Sequence, residues 1–164
     1  MGDQESAERK ANRMTAQRFL VPVDFSEDAN QAVKYAIDLA SKLGARITLL
    51  HVIQLLPLGS GDMGVTVPYT YFQELEADIT SRMQAYLERV TAAGLEGEIA
   101  VVHGVPFQEI LETAKVQQVD LIIMGTHGRT GLQHVLIGSV AEKVVRLAPC
   151  PVLVVREPTI VPIS

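Results

Sequence analysis

Five short apolar runs divide the chain, and the stretches between them repeat apolar residues at helical spacing. Most of these runs are continuous rather than alternating, which is typical of strands that are covered on both faces. The predicted strands are Phe19–Val23, Ile47–Val52, Glu98–Val102, Leu121–Met124 and Val152–Val155. Regular alternation of strands with helices long enough to cross over predicts a parallel sheet with helices on both faces.

Four helices are predicted between these strands. They are Glu27–Leu43, a second running roughly from Tyr71 to Ala93, a third opening at Pro106 and a fourth starting at Ser139. Ser26 is a suitable N-cap for the first helix, and Gly44 is a suitable residue to end it. Ser139 and Glu142 fit an S-x-x-E capping box for the fourth helix.

Length and composition favour one globular domain. The chain has 164 residues, of which 48% are apolar, and its net charge of −5 is spread along the sequence without a basic face. This charge pattern argues against nucleic-acid binding. We expect a polar tail at residues 1–17, one domain at 18–157 and a second tail at 158–164. No apolar run approaches the roughly 18–20 residues that span a bilayer, so we expect no membrane association and a cytoplasmic location.

A glycine-rich segment, Met124–Gly131, follows the fourth predicted strand, and Gly138 and Ser139 open the helix after it. Gly125 and Gly128 allow close approach of the backbone to a ligand, and consecutive amides in such a loop can form an anion-binding nest. Free amides and the helix dipole at the helix start also favour a phosphate. The Ser139 hydroxyl suits either a phosphate oxygen or a capping role.

Other candidate groups carry a weaker signal. Asp24 ends the first strand, where a carboxylate suits a ribose hydroxyl or a phosphate-bound Mg²⁺, or a turn beside Ser26. His51 fits a core histidine bonded to backbone better than a catalytic base. The four histidines show no metal-ligand spacing with one another or with Cys150, and that single cysteine is expected to be an inert thiol. Neither a Walker-type loop nor the dinucleotide G-x-G-x-x-G fingerprint is present.

The spacing Gly125-x₂-Gly128-x₉-Gly138-Ser139 matches the G-x₂-G-x₉-G-[ST] nucleotide signature of universal stress proteins of the UspA type. Further segments that resemble this family are Val21–Ser26, Leu49–Val52, Gly104–Pro106, Asp120–Gly128 and Pro149–Val155. The match runs in order through about residues 17–156, so it is far more specific than any one motif. With every signature position filled, the chain is identified as a member of the ATP-binding subgroup.

The resemblance implies a single Rossmann-like doubly wound α/β fold with strand order 3-2-1-4-5, and a ligand beyond the carboxyl ends of strands one and four. In ATP-binding members the backbone at the position of Val52 meets the adenine. The cofactor-binding residues implied are Pro22, Val23, Asp24, Val52, Met124, Gly125, Thr126, His127, Gly128, Arg129, Thr130, Gly131, Gly138, Ser139, Val140 and Ala141. The expected cofactor is ATP, ADP or AMP with Mg²⁺, and Asp24 is the residue expected near the metal.

Three functions are consistent with these patterns. The leading hypothesis is a nucleotide-binding stress or regulatory protein that acts through an unknown client. The resemblance implies a homodimer through the last strand, Pro151–Val155, which would also cover an exposed sheet edge. A slow ATP hydrolase or phosphotransfer enzyme is the second hypothesis, although no base clearly aimed at water stands out. The third is a dimeric scaffold whose glycines are only structural.

Overall fold

The computed structural model describes residues 17–54, 69–127 and 137–156. Within these residues, five strands alternate with four helices. The elements are β1 (Arg18–Pro22), α1 (Glu27–Leu43), β2 (Arg46–Ile53), α2 (Tyr69–Ala92), β3 (Gly97–His103), α3 (Pro106–Val116), β4 (Leu121–Gly125), α4 (Ser139–Leu147) and β5 (Val152–Val155). Every predicted strand and helix is confirmed, with bounds that shift by one or two residues.

The five strands form one parallel sheet in the order β3-β2-β1-β4-β5. In this register Phe19 of β1 lies opposite Ile47 on one side and Leu121 on the other. The predicted order is therefore confirmed. Because the chain builds outward from β1 in one direction and from β4 in the other, the carboxyl ends of these two neighbours form a topological switch point.

Both faces of the sheet are covered, which explains why the strands read as continuous apolar runs. One core cluster joins β-strand residues such as Val21 and Leu49 to α1 and α2. The other joins Leu20, Leu50 and Ile122 to α3 and α4. Burial of these two layers away from water is the main favourable contribution to folding.

Helix α1 begins and ends where its sequence predicts. The Ser26 hydroxyl accepts a hydrogen bond from the Ala29 amide at 3.2 Å, and Gly44 takes a left-handed conformation with φ +69°. The buried face of α1 is built largely of alanine, namely Ala29, Ala32, Ala36 and Ala40, together with Val33. These small side chains allow the helix backbone to lie close to β4.

The capping box expected at the start of α4 is wrong. Gly138, in an extended conformation with φ −69° and ψ 159°, is the N-cap, and Ser139 is the first helical residue. Glu142 is therefore one position too far along to serve as the partner of a capping box. Its carboxylate lies 3.6 Å from Arg146 one turn further on.

The longest helix, α2, uses a narrow apolar stripe of Ile79, Met83 and Val90 to contact the sheet. Most of its remaining described side chains are exposed, including Leu75 at 36%. Among the described residues, no helix combines the length and the apolar character that crossing a membrane requires.

Candidate functional site

Several of the predicted site residues lie where the segments that follow β1 and β4 meet. Two hydrogen bonds connect the residues after β4 to the start of α4 and to the turn after β1. The Gly138 amide donates to the Thr126 carbonyl at 2.7 Å, and the Ser26 hydroxyl lies 3.4 Å from the His127 carbonyl. Val52 lies on β2, the other neighbour of β1. The predicted residues Gly128, Arg129, Thr130 and Gly131 lie outside the described residues.

The turn after β1 is organised by Asp24. Its Oδ1 atom accepts hydrogen bonds from the Ser26 amide at 3.0 Å and from the Ser26 hydroxyl at 2.5 Å. Asp24 thus fulfils the turn role that the sequence left open. Its carboxylate remains partly exposed at the carboxyl edge of the sheet, so a ligand role for this group is compatible with the turn.

Phe25, next to Asp24, adopts an unusual backbone conformation with φ +65°. A bulky side chain is uncommon in this left-handed region, and such strain tends to concentrate at functional sites. The ring of Phe25 packs against the His51 ring, with centroids 4.7 Å apart, and the Arg82 guanidinium lies 3.8 Å from its centroid. Tyr86 also borders this stack, and burial raises the pKa of its hydroxyl while Arg89 and Arg82 oppose that rise.

His51 is a structural histidine, as predicted from its apolar strand. Its Nδ1 atom lies 2.6 Å from the carbonyl oxygen of Val23, and its side chain is buried. Because a carbonyl only accepts, Nδ1 carries the proton. The amide of Val23 donates to the Leu50 carbonyl at 2.8 Å. Val23 therefore contributes to the site mainly by fixing the end of β1.

The start of the glycine-rich segment is held by a residue that the sequence did not single out for the site. Asp28, in the first turn of α1, accepts hydrogen bonds from the Thr126 hydroxyl at 2.6 Å and the His127 amide at 3.0 Å. The Nδ1 atom of His127 lies 3.2 Å from the same carboxylate oxygen. From sequence, Asp28 is only an acid suited to the positive end of a helix.

The backbone amides at the start of the glycine-rich segment donate hydrogen bonds to other groups of the protein. The Thr126 amide donates to the Val155 carbonyl at 3.0 Å, and the His127 amide donates to Asp28. These two amides therefore have partners within the protein, while the cofactor-binding role implied for Thr126 and His127 stays a prediction. At the far end, the first intrahelical bond of α4 runs from the Glu142 amide to the Gly138 carbonyl. The three amides before it begin the helix without an intrahelical partner.

These three amides belong to Ser139, Val140 and Ala141. They point along the helix axis where the dipole favours negative charge. The Ala141 side chain is buried in the core, as is that of Met124, so both residues can meet a ligand only through their backbone. Among the predicted site residues that the structure describes, these three therefore offer backbone donors that no intrahelical bond uses.

Gly125 has a packing role that is independent of any ligand. A Cβ atom added at this position would lie 2.8 Å from the carbonyl carbon of Asp28 and 3.0 Å from the amide nitrogen of Ala29. These are backbone atoms of α1, which cannot move aside as a side chain can. Glycine at the end of β4 therefore permits the close contact between this strand and α1.

The remaining candidate groups show no built site in the described part of the chain. No three His, Cys, Asp or Glu side chains there come together as metal ligands. Burial raises the pKa of the Cys150 thiol, which favours the unreactive protonated form.

Comparison with known proteins places this geometry in a family. The family model "Universal stress protein family" matches residues 15–156. Universal stress protein MJ0531 of Methanocaldococcus jannaschii is 35% identical over 146 residues, covering 86% of this chain and 82% of that protein. The solved structure of MJ0577, from the same organism, superimposes with a TM-score of 0.72 at 31% identity, covering 88% of this chain and 99% of that one.

A second similar structure is that of a universal stress protein in complex with cAMP. It superimposes with a TM-score of 0.65 at 24% identity and covers 86% of this chain and 97% of its own. At that identity the likeness speaks for the fold alone. The match to the family model over nearly all of the described residues, together with relatives above 30% identity, shows that this chain belongs to the universal stress protein family.

Proposed function

We propose that this protein binds an adenine nucleotide, ATP with Mg²⁺ in the first instance, and acts as a regulatory protein in a stress response. The observation that carries the proposal is the start of α4, where Ser139, Val140 and Ala141 present three amides directly after Gly138, which is hydrogen-bonded to Thr126 at the end of β4. A phosphate chain suits these donors because the amides can donate hydrogen bonds to its oxygens and the helix dipole stabilises its negative charge.

The rest of the proposed nucleotide extends from this phosphate position toward β2. The backbone of Val52 is proposed to meet the adenine, while Pro22 and Asp24 line the ribose side. The choice of adenine is supported by the match of Gly125, Gly128, Gly138 and Ser139 to the nucleotide signature of the family. Asp24 is suited to a ribose hydroxyl or to Mg²⁺ carried by the phosphates, since carboxylate oxygens are preferred ligands of that ion.

Titration calorimetry with ATP, ADP, AMP and adenosine tests the proposal. We expect ATP to bind at least about 10-fold more tightly than adenosine, because each charge-assisted hydrogen bond contributes about 1.5–3 kcal/mol. Adenine nucleotide should also be released by heating freshly purified protein. Equal affinity for adenosine and ATP would show that no phosphate site exists. Phosphate release at saturating ATP and Mg²⁺ separates simple binding from hydrolysis.

We also propose that the protein acts as a homodimer through β5. This strand ends the sheet, and all four of its residues are only partly buried. The carbonyls of Pro151 and Val155 accept hydrogen bonds from β4. Because successive residues of a strand direct their backbone groups to opposite sides, Val152 and Val154 direct theirs to the open edge. Such an edge is a template for pairing with a second copy.

Val154→Pro is expected to make the protein monomeric, because proline lacks the outward amide while the bonds from β4 to Pro151 and Val155 remain possible. Val154→Ala, which keeps that amide, should remain dimeric. Sedimentation or light scattering at matched concentrations measures the state, and circular dichroism confirms folding. A Val154→Pro variant that stays dimeric would refute pairing through β5.

A further inference from the structure

One oxygen of Asp28 links α1 to the start of the glycine-rich segment. Its Oδ2 atom lies within hydrogen-bond distance of the Thr126 hydroxyl, the His127 amide and the His127 ring, at 2.6, 3.0 and 3.2 Å. The Asp28 side chain is 15% exposed and Thr126 is 7% exposed. These are charge-assisted contacts in a partly buried setting, where such bonds are stronger than in water.

Thr126, which donates to Asp28, directly follows β4 and is also hydrogen-bonded to β5 and to the residue before α4. The Thr126 amide is bonded to Val155, and the Thr126 carbonyl accepts from Gly138 directly before α4. Displacement of Thr126 would therefore move Gly138 as well, and with it the first turn of α4. The contact with Asp28 is thus connected through two hydrogen bonds to the amides proposed to bind phosphate.

We propose that Asp28 is a positioning residue for nucleotide binding, one that occupies the near end of the segment as an internal anion and fixes the start of α4 for the phosphates. This inference rests on the proposed function. Because the His127 amide already donates to Asp28, the phosphates are directed to the amides of Ser139, Val140 and Ala141. Asp28 itself lies in the first turn of α1, where the helix dipole stabilises a carboxylate.

Two neutral replacements of Asp28 distinguish the effect of the hydrogen bonds that it accepts from the effect of its negative charge. Asp28→Asn and Asp28→Ala both remove the negative charge, but only asparagine keeps an oxygen that can accept from Thr126 and His127. We expect Asp28→Ala to bind ATP roughly 10-fold more weakly than Asp28→Asn, while adenosine binds the two variants equally. Asp38→Ala changes an exposed acid on the same helix and should match the wild type.

Calorimetry with ATP and adenosine gives these ratios, and thermal unfolding of each variant is measured in parallel. Equal ATP affinity of Asp28→Ala and Asp28→Asn would overturn the positioning role, as would a parallel loss of ATP and adenosine binding. Should Asp28→Ala fail to fold, Thr126→Val removes one donor and is expected to bind ATP about 3-fold more weakly than the wild type, and unchanged affinity would contradict the inference. A wild type that binds no nucleotide would refute the proposed function itself.

Discussion

Replacement of Ser139 by aspartate is expected to lower the affinity for ATP by about 100-fold while the helix remains intact. A carboxylate at the first position of α4 would stand next to the amides that are proposed to hold a phosphate. At an effective dielectric constant of about 20, two unit charges about 5 Å apart repel by about 3 kcal/mol. The same carboxylate interacts favourably with the positive end of the helix dipole, so the melting temperature of the variant should stay constant or rise slightly.

Calorimetry measures the change, and Gln108→Asp provides the matched control. Gln108 is an exposed residue in the first turn of α3, so this variant adds the same charge to a helix start that contributes no amide to the proposed phosphate site. It should bind ATP as the wild type does. If Ser139→Asp also retains wild-type affinity, the phosphates are not bound at the start of α4.

Gly125→Ala is expected to destabilise the fold by about 3 kcal/mol, or about 10 °C in Tm for a domain of this size. The new methyl group would lie 2.8 Å from the backbone of Asp28, so either α1 or the end of β4 must shift. Thermal or urea unfolding in the absence of nucleotide measures the loss. Reduced ATP binding by this variant would consequently say little about ligand contacts.

Gly97 offers the control for this steric effect. A Cβ atom there would approach within 2.8 Å of Val90 and 2.9 Å of Leu87, but both contacts are with ends of side chains. Side chains can shift more readily than the backbone of a helix, although Val90 is buried and branched, so Gly97→Ala should cost about 1–2 kcal/mol, less than Gly125→Ala. Equal destabilisation by the two variants would contradict the view that the backbone of α1 is what excludes a side chain at Gly125.

Features set by neighbouring residues were predictable from the sequence. The apolar runs gave the strands, and Ser26 and Gly44 marked both ends of α1 because capping depends on a few adjacent groups. The same logic found the first residue of α4 but assigned the N-cap to Ser139, whereas Gly138 in an extended conformation serves as the N-cap. The S-x-x-E pattern is present, but its serine and glutamate each lie one position after the N-cap and N3 positions that a capping box requires.

Contacts between residues that are far apart in the sequence could not be predicted from local patterns. Asp28 and Thr126 are separated by 98 positions, and each has an ordinary local interpretation as a helix-start acid and a loop residue. Phe25 combines a left-handed conformation with stacking on His51 and Arg82, which come from two other elements. Such features follow from packing, so only the assembled fold reveals that the glycine-rich segment is held by α1.

The hydrogen bond between Gly138 and Thr126 joins two points separated by eleven intervening residues. The scaffold fixes both of these points, and the entropy of closing a connection between fixed ends grows only slowly with its length. An insertion of a few residues between Thr126 and Gly138 is therefore expected to change the stability of the domain little. It would alter the spacing between Gly128 and Gly138, so nucleotide affinity should respond to such a change before folding does.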